Sequence, residues 1–361
     1  VNEREMKARV AQAANVAALH AADHDWDVYA QLRSVKELQT KAGKPFLVLE
    51  LGDLSGSVEG KVWSNSAEAM AAAKAAPTGS TLKLRGRVED YQGKSQFVVD
   101  RVRVVADDER PEGYDPDQLV DPALAAVEDL CCRTLVFDIE TVPAHERREL
   151  PSTIAEALTE SAKQKEMEPA AVMGMSPFLG KVVSLAIGDG DAEGGIDDVV
   201  VLAVPPPGFD ASTCPKWLRL MDEAELLRSF WALCSRAETV VSFNGKGFDV
   251  PFLAVRSLIH GIPVRVDLMS QRFGLRPHLD LFEVLGQKGR GPSKLDVICW
   301  ALGIASPKGE MDGSMVAPTY ERGDLVKIAE YNAHDVRATS AVYRRCRDLL
   351  LKHRSDWTAR K

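Results

Sequence analysis

The sequence predicts two domains of different class, an all-β barrel followed by an α/β domain. Three observations carry this. Residues 28–105 alternate apolar and polar at the period of strands, broken by one alanine-rich stretch. Beyond residue 132, short apolar runs are followed by helical patterns. The length of 361 residues exceeds one ordinary core. The expected boundaries are 1–106 for the first domain, 107–131 for a linker and 132–361 for the second.

Glu3 to Ala22 is alanine-rich and predicts a helix that caps the barrel or mediates oligomerisation. Strands are expected at Val28–Val35, Phe46–Leu51 and Ser57–Trp63, then a helix at Ser66–Ala75, then strands at Thr81–Val88 and Gln96–Val105. Five strands with a helix after the third is the order of an OB-fold, a Greek-key barrel. Such barrels bind single strands by stacking bases on exposed aromatics within a basic groove. The candidates are Phe46, Trp63, Tyr91 and Phe97, with Arg33, Lys61 and Lys94. Any one of these aromatics is also an ordinary core residue, and the fold also hosts protein contacts. The stretch Asp107–Gly113 is polar and turn-rich, as a linker should be.

The second domain opens with Leu135-Val136 followed by Phe137-Asp138-Ile139-Glu140-Thr141. Strand residues two apart share a face, so Asp138 and Glu140 point the same way. Two neighbouring carboxylates raise each other's pKa, a cost that a bound cation removes. Mg²⁺ and Mn²⁺ prefer carboxylate and water oxygens. Two such ions roughly 4 Å apart activate an attacking water and stabilise a leaving oxygen. The other reading is a strand end with two unrelated acids.

Val240–Phe243 predicts a buried strand and Asn244-Gly245 a strand-to-helix turn. Phe248–His260 predicts a helix with Asp249 in its first turn, where an acid is favoured by the helix dipole in any case. Leu325, Ile328, Ala329, Val336, Ala338 and Val342 repeat at helical spacing. Tyr331 and Asp335 lie one turn apart on that helix, so Asp335 suits a metal while the Tyr331 hydroxyl positions a water. Alternatively they are a surface acid beside a half-buried tyrosine.

Together the stretches F-D-I-E-T, F-N-x-x-x-F-D and Y-x-x-x-D, in this order, resemble the three motifs of DEDD exonucleases, tyrosine subtype. The likeness is nearest to the proofreading exonuclease of family B DNA polymerases and covers roughly residues 132–350. It extends to His278-Leu279-Asp280-Leu281, Ser293-Lys294-Leu295-Asp296, Leu302-Gly303-Ile304 and Asp312-Gly313-Ser314. The resemblance implies a ribonuclease H-like domain with a mixed sheet. It implies that Asp138, Glu140, Asp249 and Asp335 bind two Mg²⁺ or Mn²⁺ ions and that Tyr331 orients the nucleophilic water. The histidine subtype places its base where Glu330 stands here, so His334 is expected to pack or face solvent. One departure is an insertion-like stretch, His145 to Gly180, which is either a lid over the substrate or a surface helix. Asn244, Lys246 and Phe248, near the second motif, are expected to touch the strand. Lys288 and Arg290, in the loop Gly286–Gly291, are expected either to touch phosphates or to form a solvated turn. The first domain, through Gly52-Asp53-Leu54-Ser55-Gly56, Gly86-Arg87-Val88 and Tyr91-Gln92-Gly93, resembles anticodon-binding OB domains, including those preceding HD-type 3′–5′ exoribonucleases.

Composition narrows the partners. The net charge of −8 argues against a simple basic nucleic-acid binder. The first 110 residues are balanced, so the excess acid belongs to the second domain. No apolar run approaches a membrane span. The six cysteines form no C-x-x-C or Cys/His spacing and read as reduced thiols, which with the absence of a signal-like segment gives a cytoplasmic expectation. Gly245-Lys246-Gly247 is not a P-loop. The expected function is metal-dependent 3′–5′ exonuclease action on single-stranded nucleic acid, DNA favoured over RNA, giving nucleoside 5′-monophosphates. The alternatives are an exoribonuclease or a non-catalytic strand-binding protein of a repair assembly, with repair or polymerase proteins as partners.

Overall fold

A computed structural model of the chain describes residues 9–40, 42–91, 94–106, 108–119, 121–192, 198–269, 274–286, 294–306 and 311–358. The chain divides into two compact units, meeting between residues 125 and 126.

The first unit holds β1 (Val10–Gln12), β2 (Asp25–Gln39), β3 (Pro45–Asp53), β4 (Gly56–Trp63), α1 (Ala67–Ala75), β5 (Thr81–Tyr91) and β6 (Lys94–Val104). The order β2-β3-β4-β6-β5 closes on itself through a β2–β5 pairing, giving a five-stranded OB barrel. Only β4 and β6 pair in parallel within it. Alternation puts Val28, Ala30, Leu32, Leu47, Leu49, Leu51, Leu82 and Leu84 inside. Phe97 is fully buried among them and is a core residue, not a stacking surface.

The expected N-terminal helix is not formed where the chain is described, from residue 9 onward; residues 1–8 lie outside the described residues. Instead β1 pairs in parallel with β2, Val10 opposite Asp25. A 3₁₀ turn follows at Val16–Ala18, opened by the Asn15 side chain accepting from the Ala18 N–H. Ala13 and Val16 enter the barrel core, and the Val16 N–H donates to the Asp53 carboxylate at 2.6 Å. Sheet pairing and burial here override the weak helix propensity of the alanines. The segment after β6 is not free either. Tyr114 packs on Tyr29 at 5.1 Å, Leu119 is buried beside them, and the Gln118 carbonyl accepts from the Leu54 N–H.

The second unit begins with β7 (Thr134–Pro143), α2 (Ser152–Gln164), α3 (Pro169–Gly174), β8 (Gly180–Asp189), β9 (Val200–Ala203) and β10 (Leu218–Leu220). It continues with α4 (Glu223–Arg236), β11 (Thr239–Ser242), α5 (Asp249–Ile259), β12 (His278–Asp280), α6 (Leu281–Leu285), α7 (Leu295–Leu302), α8 (Val316–Glu321) and α9 (Leu325–Leu349). The sheet order is β10-β9-β8-β7-β11-β12. β8 runs antiparallel to both neighbours and the remaining pairs are parallel, so the sheet is mixed. α9 crosses β7 and β8, burying Ile328, Ala329, Ala333, Val336 and Val342 against Val136 and Val183. On the opposite face Phe137 packs against Phe230 of α4 at 4.9 Å. Within the insertion-like stretch, α2 and α3 share a small apolar cluster of Leu158, Ala162, Val172 and Met173. This helical pair is tied to the end of β7, because Thr141 Oγ1 donates to the Gly174 carbonyl and the Ala144 N–H to that of Leu179.

Candidate active site

β7 is the middle of the site. Its apolar residues Phe137 and Ile139 are buried on one face, and Asp138 and Glu140 stand half-buried on the other. α9 lies over that second face. Its Asn332 is fully buried and donates to the Ser184 carbonyl of β8, which fixes the helix over the acids. Tyr331 and Asp335, flanking Asn332, then reach the strand. Carboxylate oxygens of Asp138, Glu140 and Asp335 all lie within 4.8 Å of one another.

The fourth acid arrives from α5. Asp249 is buried in the first helical turn, and its Oδ1 accepts the Ile139 N–H at 3.2 Å. That bond joins the start of α5 to β7 between the two strand acids. The turn before α5 is built for the approach. Asn244 adopts a left-handed φ of +63°, and a Cβ on Gly245 would meet Ser242 Oγ at 2.3 Å. Asp280, at the end of β12, clamps the turn by accepting from the N–H groups of Asn244 and Lys246 and caps α6 through Phe282. This role of Asp280 is not given by the motif His278–Leu281 itself. An acid between a short strand and a helix was the available signal.

The electrostatics are one-sided. Burial drives Asp138 well above the ordinary carboxylate range, and the charges of Asp249, Asp335 and Glu140 push it further. Glu140 is raised in the same way by burial and then by Asp335 and Asp249. Burial carries Asp249 up to about 7 against the opposing Ile139 N–H. The Tyr331 phenol is also raised, by burial first and then by Asp335, Glu140 and Asp138, and it is hydrogen-bonded to Asp335. A cluster of hard oxygen donors with such mutual repulsion suits a hard divalent cation. Asp138, Glu140 and Asp335 would hold the ion, with Asp249 at their side.

Other expected residues fall differently. His334 and Glu330 are exposed. Lys246 does not present its ammonium to solvent: it is bound to Glu283 at 2.9 Å and to the Gly274 carbonyl, inside the turn it belongs to. Asn244 is exposed, and Phe248 is half-buried against Phe252. Lys288 and Arg290 lie outside the described residues. Beyond Glu140, where β7 ends, a cavity of about 1190 Å³ is lined by Val142, Lys181, Phe209 and Tyr320 among others.

On the barrel, Phe46 and Trp63 are directly opposed across β3 and β4, half-buried, with rings 4.9 Å apart. Lys61 is on the same pair of strands, donating to Gln96 at 2.7 Å. The side chains of Tyr91 and Lys94 lie outside the described residues. Arg33 folds over Gly52, whose missing Cβ would otherwise sit 2.1 Å from the guanidinium carbon.

Comparison with known proteins agrees with both units. Residues 218–355 match a family described as a predicted 3′–5′ exonuclease related to the exonuclease domain of PolB. The match includes Asp249, Tyr331 and Asp335; Asp138 and Glu140 precede it. Residues 26–105 match the family of OB-fold nucleic acid binding domains. The second unit is thus similar to PolB-related exonuclease domains and the first to OB-fold nucleic acid binding domains. The 3′–5′ exoribonuclease YhaM of Geobacillus sp. (strain WCH70) is 35% identical over 78 residues, which are 22% of this chain and 23% of that protein. The matched part thus spans under a quarter of that relative. Among solved structures, the family B DNA polymerase of Pyrobaculum calidifontis aligns over 92% of this chain and 48% of its own, at 13% identity and a TM-score of 0.43. The second OB-fold domain of replication protein A from Methanococcus maripaludis aligns over 28% of this chain and all of its own, at 19% identity and a TM-score of 0.22.

Proposed function

We propose that the chain is a metal-dependent 3′–5′ exonuclease of the tyrosine DEDD subtype. It removes nucleoside 5′-monophosphates from single-stranded nucleic acid, with DNA preferred to RNA. The observation that carries this is the convergence of Asp138, Glu140 and Asp335 oxygens within 4.8 Å, backed by Asp249 and faced by Tyr331. When bound there, two divalent ions supply an activated water and stabilise charge on the leaving oxygen. The chain's own groups do the rest. Asp335 accepts the Tyr331 hydrogen bond, which holds the phenol where it orients the attacking water. Asp249 locks β7 to α5, so the acids on the strand keep their spacing. The cavity beyond Glu140 receives the 3′-terminal nucleotide, and the Phe46–Trp63 pair stacks upstream bases.

The test uses 5′-labelled single-stranded DNA, single-stranded RNA and blunt duplex, each with Mg²⁺, Mn²⁺ or EDTA. Single strands should shorten from the 3′ end with either ion and stay intact in EDTA, DNA faster than RNA. Internal cuts, or cleavage that survives EDTA, would overturn the assignment. A second reading, RNA as the preferred polymer, is favoured by the similarity to an exoribonuclease. A faster RNA ladder in the same assay selects it.

A further inference from the structure

The outer face of the barrel carries a basic ladder that the aromatic pair does not explain. β5 presents Lys83 and Arg85, and β6 presents Arg101 and Arg103. The register sets Lys83 opposite Arg103 and Arg85 opposite Arg101. Directly opposed residues have Cβ atoms about 5 Å apart, and like charges there destabilise a sheet.

The neutralisation of this ladder is partial. Asp27 on β2 takes both hydrogen bonds of Arg85, at 2.6 and 2.7 Å, and lies 4.0 Å from Lys83. Arg103 pairs with Glu109 at 2.6 Å, but both are exposed, where an ion pair contributes little. Arg101 is exposed and has no hydrogen-bond or ion-pair partner among the described residues. The four cations line a groove of about 770 Å³ whose other wall is Asn65, Ser66 and the first turn of α1; Glu68 and Asp100 also line it. Ser66 makes no side-chain cap, so the first-turn amides of α1 add partial positive charge without being satisfied by it. All this stands in a chain of net charge −8.

We propose that this groove is a second binding site for the phosphodiester backbone of a single strand, separate from the Phe46–Trp63 pair on β3 and β4. A polyanion fits because it can bridge both opposed pairs at once, whereas a single carboxylate such as Asp27 or Glu109 reaches only one side. The aromatics then grip bases and the ladder grips phosphates. The proposal rests on reading the barrel as a strand binder, and the experiment separates the two.

Binding of a long oligo-dT and a long oligo-U to the full chain is measured in EDTA across a salt series. The wild type is compared with the double variants Arg101→Gln/Arg103→Gln and Phe46→Ala/Trp63→Ala. Losing two phosphate contacts should weaken binding by about tenfold at low salt and make the log–log salt slope shallower by about 1.4. The aromatic variant should bind more weakly with its slope kept. The arginine variant should melt at or above the wild-type temperature at low salt, since it removes opposed like charges. An unchanged salt slope in that variant, beside a weakened aromatic variant, overturns the groove and leaves the strand-binding reading intact. Wild-type protein that binds neither polymer overturns both. Weaker binding with a lowered melting temperature assigns the arginines a structural role and also overturns the groove.

Discussion

Each unit of this molecule gathers like charges, and they differ in where those charges meet solvent. In the second unit, acids from β7, α5 and α9 converge at half-buried or buried positions. In the barrel, exposed Arg101 and Arg103 of β6 stand beside half-buried Lys83 and Arg85 of β5 on the outer face. Burial makes the difference. Charges in contact with water interact through a high dielectric, so the barrel tolerates its ladder at modest cost. Desolvated acids have no such relief, and their pKa values rise. A small, hard cation seated among them answers the first arrangement. A long, flexible polyanion lying along the surface answers the second.

The comparison breaks most visibly at the acids. Asp138→Asn keeps the shape and removes one ionisable metal ligand from the cluster. If the cluster exists to hold metal, turnover on single strands should fall by several orders of magnitude, about 10³-fold or more, while strand affinity in EDTA stays at the wild-type value. The apo variant should also melt higher than apo wild type at neutral pH, because the cost of desolvating and protonating that carboxylate on folding is gone. Wild-type turnover with Mn²⁺ would remove Asp138 from the metal set.

A smaller effect is expected at the phenol. Tyr331→Phe keeps the ring packing on α9 and loses one hydroxyl. Single-turnover cleavage should slow by about 10–1,000-fold, the usual worth of a positioned proton-handling group, with KM unchanged. Equal single-turnover rates would make Tyr331 a packing residue.

How much of this was legible in the sequence depends on range. The barrel strands and the site helices follow from local periodicity, and the strand expected from Phe46 and the helix expected from Phe248 start within a residue of the expected position. The acids Asp138 and Glu140 were legible because a strand fixes which residues share a face. What failed was non-local. Nothing in Glu3–Ala22 says that β2 will capture Val10 as a strand partner or that Asp53 will take the Val16 N–H. Likewise Lys246 reads as a free cation until the fold brings Glu283 to it. The basic ladder was half-legible. Lys83-Leu84-Arg85 and Arg101-Val102-Arg103 each show charge at period two, but the opposition of the two segments appears only once β5 and β6 are in register.

The desolvated acids also set how stability depends on pH. In the folded apo protein Asp138, Glu140 and Asp249 hold protons above the ordinary carboxylate range, Asp249 to about 7. The unfolded chain releases those protons at a pKa of about 4. Between these values the native state binds more protons than the unfolded state, so stability falls as pH rises. The contribution is fully present below the unfolded pKa and is lost as pH passes the folded one. His278 works in the opposite direction. It is buried between Ser242 Oγ and the Leu268 carbonyl, and burial lowers it to about 4. Below a pH of about 6.5 the unfolded chain would protonate it while the native state does not, and stability is lost there. One histidine offsets only part of what three acids contribute. In EDTA, the melting temperature of the second unit should rise by a few degrees as pH falls from about 8 to about 6.5, and less steeply below that. Saturating Mg²⁺ should raise it most at the alkaline end, by mass action on the ionised cluster, and so flatten the profile. The barrel's arginines do not titrate in this window, so a calorimetric transition belonging to the first unit should keep its temperature throughout. Differential scanning calorimetry at several pH values, with EDTA and with Mg²⁺, measures both. A second-unit transition that ignores Mg²⁺ and moves upward with rising pH would show that the acids are not the repelling, cation-seeking cluster their geometry describes.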